Sequence, residues 1–305
     1  MKRDFLSMLD INQEELFMIL EFAEKFKKGK IEKVLKNKIF ALIFEKPSLR
    51  TRVSFETGIK KLDGDSIYLS QQDIGMGKRE SVKDIAKNLE RWTDGIIGRV
   101  FSHETLIILA KESKIPVINA LSDIEHPCQI LADLMTIKEI SGDLKGPLAF
   151  VGDGNNVCHS LILGFSLTGG EIRVATPKGY EPKKEIMNKA IEIAKKTGAK
   201  IIHTYDPYEA VKGAKFVYTD VWASMGQESE AEIRKKIFSS YQVNSKLIKN
   251  AHKDVKFMHC LPAHRGEEVT DDVLDSEYSV VYEQAENRMW AQLSLIHISE
   301  PTRQA

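Results

Sequence analysis

Cysteine is scarce in this chain of 305 residues: Cys128, Cys158 and Cys260 make an odd count with no Cys-x-x-Cys pair. That excludes a disulfide framework and a zinc ribbon, and a reducing compartment is expected. An excess of charge of either sign is absent too, because 44 Lys and Arg balance 44 Asp and Glu. A neutral chain has no field to hold nucleic acid or an anionic membrane, so neither is expected as a partner. Apolar runs of spanning length are missing, and Met1-Lys2-Arg3-Asp4-Phe5 passes directly into an amphipathic pattern without a leader. A soluble, cytoplasmic protein is therefore expected. Gly-x-x-x-x-Gly-Lys-Ser/Thr does not occur, and no metal or cofactor is expected.

What is present is a repeated strand and helix rhythm. The run Ile39-Phe40-Ala41-Leu42-Ile43-Phe44 is continuously apolar, as in a parallel strand covered on both faces. Pro47 forces an extended turn, and Ser48 then stands where a helix N-cap belongs, ahead of a helical pattern reaching Leu62. Unpaired N–H groups and the positive end of the helix dipole would face a ligand there, with Arg50 and Arg52 adding forked donors, an arrangement suited to phosphate. Strands are read at Ser66–Leu69, Ile96–Val100 and Val117–Ala120, with helices from Ser81, Glu104 and Pro127 and a polar loop over Gln71–Arg79. The rhythm restarts with Leu148–Val151, a helix Val157–Thr168, and strands near Ile172–Ala175, Ile201–His203, Phe216–Thr219, Val255–Met258 and Val280–Tyr282. This predicts an α/β protein of two doubly wound parallel-sheet domains with an active-site cleft between them, ligands sitting beyond the C-terminal strand ends.

Three further segments extend the phosphate motif: His126-Pro127-Cys128-Gln129, Asp220-Val221-Trp222-Ala223-Ser224-Met225-Gly226 and His259-Cys260-Leu261-Pro262. With Ser48-Leu49-Arg50-Thr51-Arg52 they stand in the order found in the aspartate/ornithine carbamoyltransferase family, which the chain resembles from its start to about Gln292. The resemblance implies carbamoyl transfer from carbamoyl phosphate to the side-chain amine of L-ornithine, giving L-citrulline and phosphate. It implies a carbamoyl-phosphate-binding domain over 1–140, rejoined by a C-terminal helix from about 284, and an ornithine-binding domain over 141–283. A homotrimer or a multiple of trimers is the family's usual assembly.

On that resemblance Ser48, Leu49, Arg50, Thr51 and Arg99 cradle the phosphate, His126 and Arg288 reach the carbamoyl oxygen, and Gln129 fixes the carbamoyl NH₂. The carbonyls of Cys260 and Leu261 accept from the same NH₂. Asn156 and Ser224-Met225 hold the α-carboxylate and α-amino end of ornithine, while Asp220 and Cys260 orient its side-chain amine. That amine is the chemical difficulty, since with a pKa near 10.4 it costs roughly 4–5 kcal/mol to hold neutral at pH 7. Arg50, Arg99, His126, Asp220, Cys260 and Arg288 are the expected catalytic residues.

A dinucleotide-binding module is the main rival, because Gly152-Asp153-Gly154 follows a strand and opens a helix. Val157 occupies the third glycine position, however, and the next strand ends at Thr176 instead of an acid for a ribose. A binding homologue without activity would need a lost site residue, and none of those assigned is missing. Aspartate, putrescine or acylated ornithine are the rival acceptors, against which Ser224-Met225-Gly226 favours free ornithine. The family often carries His or Gln, reaching a neighbouring subunit, where Gly75 stands. From Leu293 the run Leu-Ser-Leu-Ile-His-Ile-Ser-Glu-Pro-Thr-Arg resembles the translation of a transposon-based sequencing adapter. A non-native tail over 293–303, with no face to pack, is expected in place of the family's apolar helix.

Overall fold

The computed structural model describes residues 2–223 and 228–299. The chain divides into two units, residues 1–135 with 287–305, and residues 136–286. Both boundaries fall inside helices.

In the first unit the apolar run of the sequence becomes β1 (Ile39–Phe44), buried along nearly its whole length. It is flanked in a four-stranded sheet by β2 (Asp65–Ser70) on one side and β3 (Gly95–Arg99) and β4 (Val117–Leu121) on the other, in the order β2-β1-β3-β4, all parallel. The helices are α1 (Gln13–Lys27), α2 (Leu49–Lys61), α3 (Gln71–Ile74), α4 (Val82–Trp92), α5 (His103–Glu112) and α6 (Pro127–Ser141). The chain leaves β1 toward β2 and later returns to the opposite side of β1, so the strand order reverses between β1 and β3. At such a reversal the loops after the two strands diverge and leave room for a ligand.

The second unit repeats the plan with five parallel strands, β5 (Leu148–Val151), β6 (Glu171–Ala175), β7 (Lys200–Thr204), β8 (Phe216–Tyr218) and β9 (Lys256–Met258), ordered β7-β6-β5-β8-β9. Its helices are α7 (Asn156–Thr168), α8 (Lys184–Thr197), α9 (Pro207–Val211), α10 (Ala231–Phe238), α11 (Ser245–Ile248) and α12 (Asp271–Leu274), and α13 (Val281–Ser299) returns to the first unit. Here the order reverses between β5 and β8.

Three local expectations are corrected. The strand expected at Val280–Tyr282 is absent: Ser279 makes one bridge to Phe257, Val280 N–H donates to the Phe257 carbonyl, and α13 begins at Val281. The polar loop after β2 contains α3, which Gly75 ends in the left-handed region at φ 58°. A side chain at that glycine would also meet Arg79 Cβ at 2.8 Å, so this turn itself favours glycine over His or Gln.

The third concerns the tail. Instead of lacking a face, α13 continues to Ser299 with Leu293, Ser294, Leu295, Ile296 and His297 buried in the first unit. Ser294 Oγ donates to the Ile19 carbonyl at 2.6 Å, and the His297 ring meets Phe26 edge-on at 5.1 Å. Leu293 sits so close to α2 that a Cβ on Gly58 would lie 2.3 Å from its Cδ1.

Candidate active site

Around the reversal between β1 and β3, the first unit gathers most of the residues that the sequence assigned to carbamoyl phosphate. Ser48 caps α2, its hydroxyl lying 3.4 Å from the Thr51 N–H and 3.0 Å from Thr51 Oγ1. Arg99, the last residue of β3, donates to the same Oγ1 at 3.2 Å, and Arg288 of α13 donates to it at 2.9 Å. Two guanidiniums therefore converge on one buried hydroxyl at the start of a helix. Leu49 has an exposed side chain, so only its backbone N–H, in the unpaired first turn, suits an anion.

Arg50 and Arg52 part company. Arg52 pairs with Glu56 at 2.9 Å and stacks on the Tyr68 ring at 3.8 Å, away from Thr51. Two residues along a helix turn about 200°, which places these arginines on opposite faces.

His126 is buried just before α6. Burial, then the positive charges of Arg288, Arg99 and Arg50, hold its pKa well below the usual histidine value. The imidazole is therefore neutral, able to donate one N–H without adding charge. One turn on, Gln129 accepts from Arg288 Nη1 at 3.0 Å and donates to Asp133 at 2.8 Å. Cys128 belongs to the core: its thiol donates to the Asn119 carbonyl and burial pushes its pKa up to about 12.

In the second unit the segments after β5, β8 and β9 carry the remaining group. Asn155, the N-cap of α7, accepts from the N–H groups of Val157 and Cys158 through Oδ1, which leaves Nδ2 to donate to Asp220 Oδ2 at 2.7 Å. The other oxygen of Asp220 accepts from the Cys260 thiol at 3.2 Å. Asp220 and Cys260 are thus brought together. Asn156 folds its side-chain oxygen onto the N–H of Val157 at 2.9 Å. Ser224 and Met225 lie outside the described residues.

Three supporting groups escaped the reading of the sequence. Asn155 holds Asp220; its place in an Asn-Asn pair at a helix start could have signalled the N-cap but not that partner. His259 accepts the Leu261 N–H on Nδ1 at 2.8 Å, so its proton is on Nε2, which faces Glu268 Oε1 at 3.1 Å with both side chains fully buried. Finally, Arg234 bonds Asp153 at 2.8 Å and the Trp222 carbonyl at 2.9 Å, tying down the chain two residues after Asp220. Burial raises the Asp153 pKa to about 6 against the opposing pull of Arg234.

Asp220, His259 and Cys260 present ligand atoms within 4.8 Å of one another, as do His264, Glu267 and Glu268. In the first group both His259 nitrogens are already engaged, so it offers a cation two ligands instead of three. In the second, Lys235 lies 3.0 Å from Glu267 and supplies a positive charge of its own.

Comparison with known proteins identifies the pattern. Residues 3–139 match the aspartate/ornithine carbamoyltransferase carbamoyl-P binding domain, and residues 145–298 match the Asp/Orn binding domain of the same family. An ornithine carbamoyltransferase from Pyrococcus horikoshii is 51% identical, with 96% of this chain and 94% of that one covered. One from Bacillus cereus is also 51% identical, with 98% and 96% covered. Of solved structures, the ornithine carbamoyltransferase of Pyrococcus furiosus gives a TM-score of 0.92 at 51% identity, covering 97% of this chain and 96% of its own. The anabolic ornithine carbamoyltransferase of Campylobacter jejuni gives 0.95 at 40% identity, covering 99% and 100%.

Proposed function

The chain belongs to the aspartate/ornithine carbamoyltransferase family, and from that premise we propose that it transfers the carbamoyl group of carbamoyl phosphate to the side-chain amine of L-ornithine, releasing L-citrulline and phosphate. The observation that carries this reading is the convergence of Arg99 and Arg288 on Thr51 at the start of α2. Guanidiniums collected at a helix N-terminus suit a phosphate dianion, whose oxygens offer better acceptors than one hydroxyl.

In this mechanism Ser48, Leu49, Arg50, Thr51 and Arg99 hold the phosphate. Neutral His126 and Arg288 donate to the carbamoyl oxygen, where negative charge grows as the carbon becomes tetrahedral. Gln129 accepts from the carbamoyl NH₂, a role the carbonyls of Cys260 and Leu261 share. On the acceptor, Asn156, Ser224 and Met225 take the α-amino and α-carboxylate end, while Asp220 and Cys260 orient the side-chain amine. The amine lone pair forms the new C–N bond, the bond from carbon to the phosphate oxygen breaks, and phosphate leaves with the electron pair. The amine's proton passes to solvent or to the departing phosphate.

The reading includes a cytoplasmic setting and a trimer or multiple of trimers. Support for the first comes from three free cysteines and from the lack of any described helix long and apolar enough to cross a membrane. Support for the second is the family's habit, and the mass of the protein in solution tests it. Citrulline formation from carbamoyl phosphate, with ornithine, putrescine and aspartate compared side by side, tests the reaction. Turnover with ornithine alone is expected, and preference for another acceptor would overturn the assignment.

A further inference from the structure

We infer that Asp133 is a positioning residue that makes the site select an NH₂ group on the phosphate-bearing substrate, by fixing which way the Gln129 amide faces. The inference deepens the proposed function and rests on it for the role of Gln129.

Gln129 lies between two groups of fixed polarity. Its Nε2 donates to Asp133 Oδ1 at 2.8 Å, and its Oε1 accepts from Arg288 Nη1 at 3.0 Å. A carboxylate only accepts and a guanidinium only donates, so a flipped amide would set oxygen against oxygen and N–H against N–H. Amide orientation is normally inferred from the hydrogen-bond network, and this network admits one answer. The Gln129 carbonyl therefore faces the arginine cluster, and its second lone pair remains for a substrate N–H.

Asp133 matters most once substrate arrives. Arg288 is assigned to the carbamoyl oxygen in the occupied site, which draws it from Gln129, whereas Asp133 has no such competing task. The two residues are one helical turn apart on α6, and Asp133 is 0% exposed and Gln129 2% exposed, so water does not replace either partner. With the carboxylate gone, the amide could present its own NH₂ to the substrate's NH₂, a donor to a donor. A site built around a hydrogen bond to one group rejects the analogue lacking it. Here that analogue is acetyl phosphate, which has a methyl where carbamoyl phosphate has NH₂.

The test uses Asp133→Leu, similar in size with no acceptor, and Asp133→Asn, which can either donate or accept. Affinities for carbamoyl phosphate, acetyl phosphate and inorganic phosphate are measured on the full chain by calorimetry. The preference for carbamoyl over acetyl phosphate should fall about tenfold in Asp133→Leu and less in Asp133→Asn. Inorganic phosphate affinity should stay within about twofold, because the phosphate cradle is untouched. In a Gln129→Leu background, Asp133→Leu should move the preference no further. An unchanged preference, a parallel fall for all three ligands, or a further fall in that background would overturn the role. A wild-type protein that prefers carbamoyl phosphate yet forms no citrulline would instead overturn the acceptor assignment and leave Asp133 in place.

Discussion

Arg288 donates to Thr51 Oγ1 at 2.9 Å across 237 positions of sequence, joining a helix near the end of the chain to the first turn of α2. Both side chains are buried, and the same oxygen serves Arg99. Thr51→Val keeps the shape and removes the acceptor. Loss of about 1–3 kcal/mol of stability is expected from two guanidiniums deprived of a shared partner, together with weaker carbamoyl phosphate binding. A denaturant melt paired with calorimetry checks both, and a neutral effect on each would show that the hydroxyl is dispensable.

Arg50→Ala should chiefly abolish carbamoyl phosphate binding. Each charge-assisted hydrogen bond to phosphate is worth about 1.5–3 kcal/mol, so a loss of at least roughly tenfold is expected, which the helix dipole alone does not restore. Unchanged affinity in the calorimeter would sink the assignment.

Asp220 receives Asn155 on one oxygen and Cys260 on the other, and both donors expect a carboxylate. Asp220→Asn presents an NH₂ to one of them and removes the charge that orients the ornithine amine. Turnover should fall on the order of 10²-fold with carbamoyl phosphate affinity spared. The apparent affinity for ornithine should improve as pH rises toward about 9, because the reactive form is the neutral amine. Steady-state kinetics from pH 6 to 9 settle it, a flat profile being the adverse result.

His126 links stability to pH. Its folded pKa lies well below the usual 6.5, through burial first and the arginines second. As pH falls below about 6.5 the unfolded chain takes up a proton that the folded one refuses, so stability decreases toward acid and is fully present above that value. His126→Asn should flatten this acid limb in melts between pH 5 and 7.5. Superimposable profiles for the two proteins would refute the linkage.

Deleting Leu293–Ala305 should lower the melting temperature by several degrees. Leu293, Leu295 and Ile296 are buried, each worth about 1.5–3 kcal/mol before entropy losses. A truncated chain melting like the full one would show that the burial contributes little. The adapter resemblance is a separate proposal about the gene, and reading the source locus across codon 293 would return different codons if it is right.

The sequence by itself determined the strand rhythm, the apolar β1, the Ser48 cap and the His126-Pro127-Cys128-Gln129 helix start, because each depends on neighbours within a turn or two. Arg52 was read as a second phosphate donor beside Arg50, although helical geometry alone turns it to the opposite face, where Glu56 and Tyr68 hold it. What only the tertiary structure decided has contacts distant in the chain. Val280-Val281-Tyr282 is an apolar run too short to tell strand from helix, and burial of Ala291 and Leu293 on the same helix resolves it. Leu293 is buried because Gly58 leaves a gap on α2, which no local pattern states. Likewise Asn155 and Asn156 look equivalent in sequence, and only the return of β8 beside β5 brings Asp220 to the amide of the first. Local propensity writes the elements, but a side chain's partner is set by the register of strands far apart along the chain.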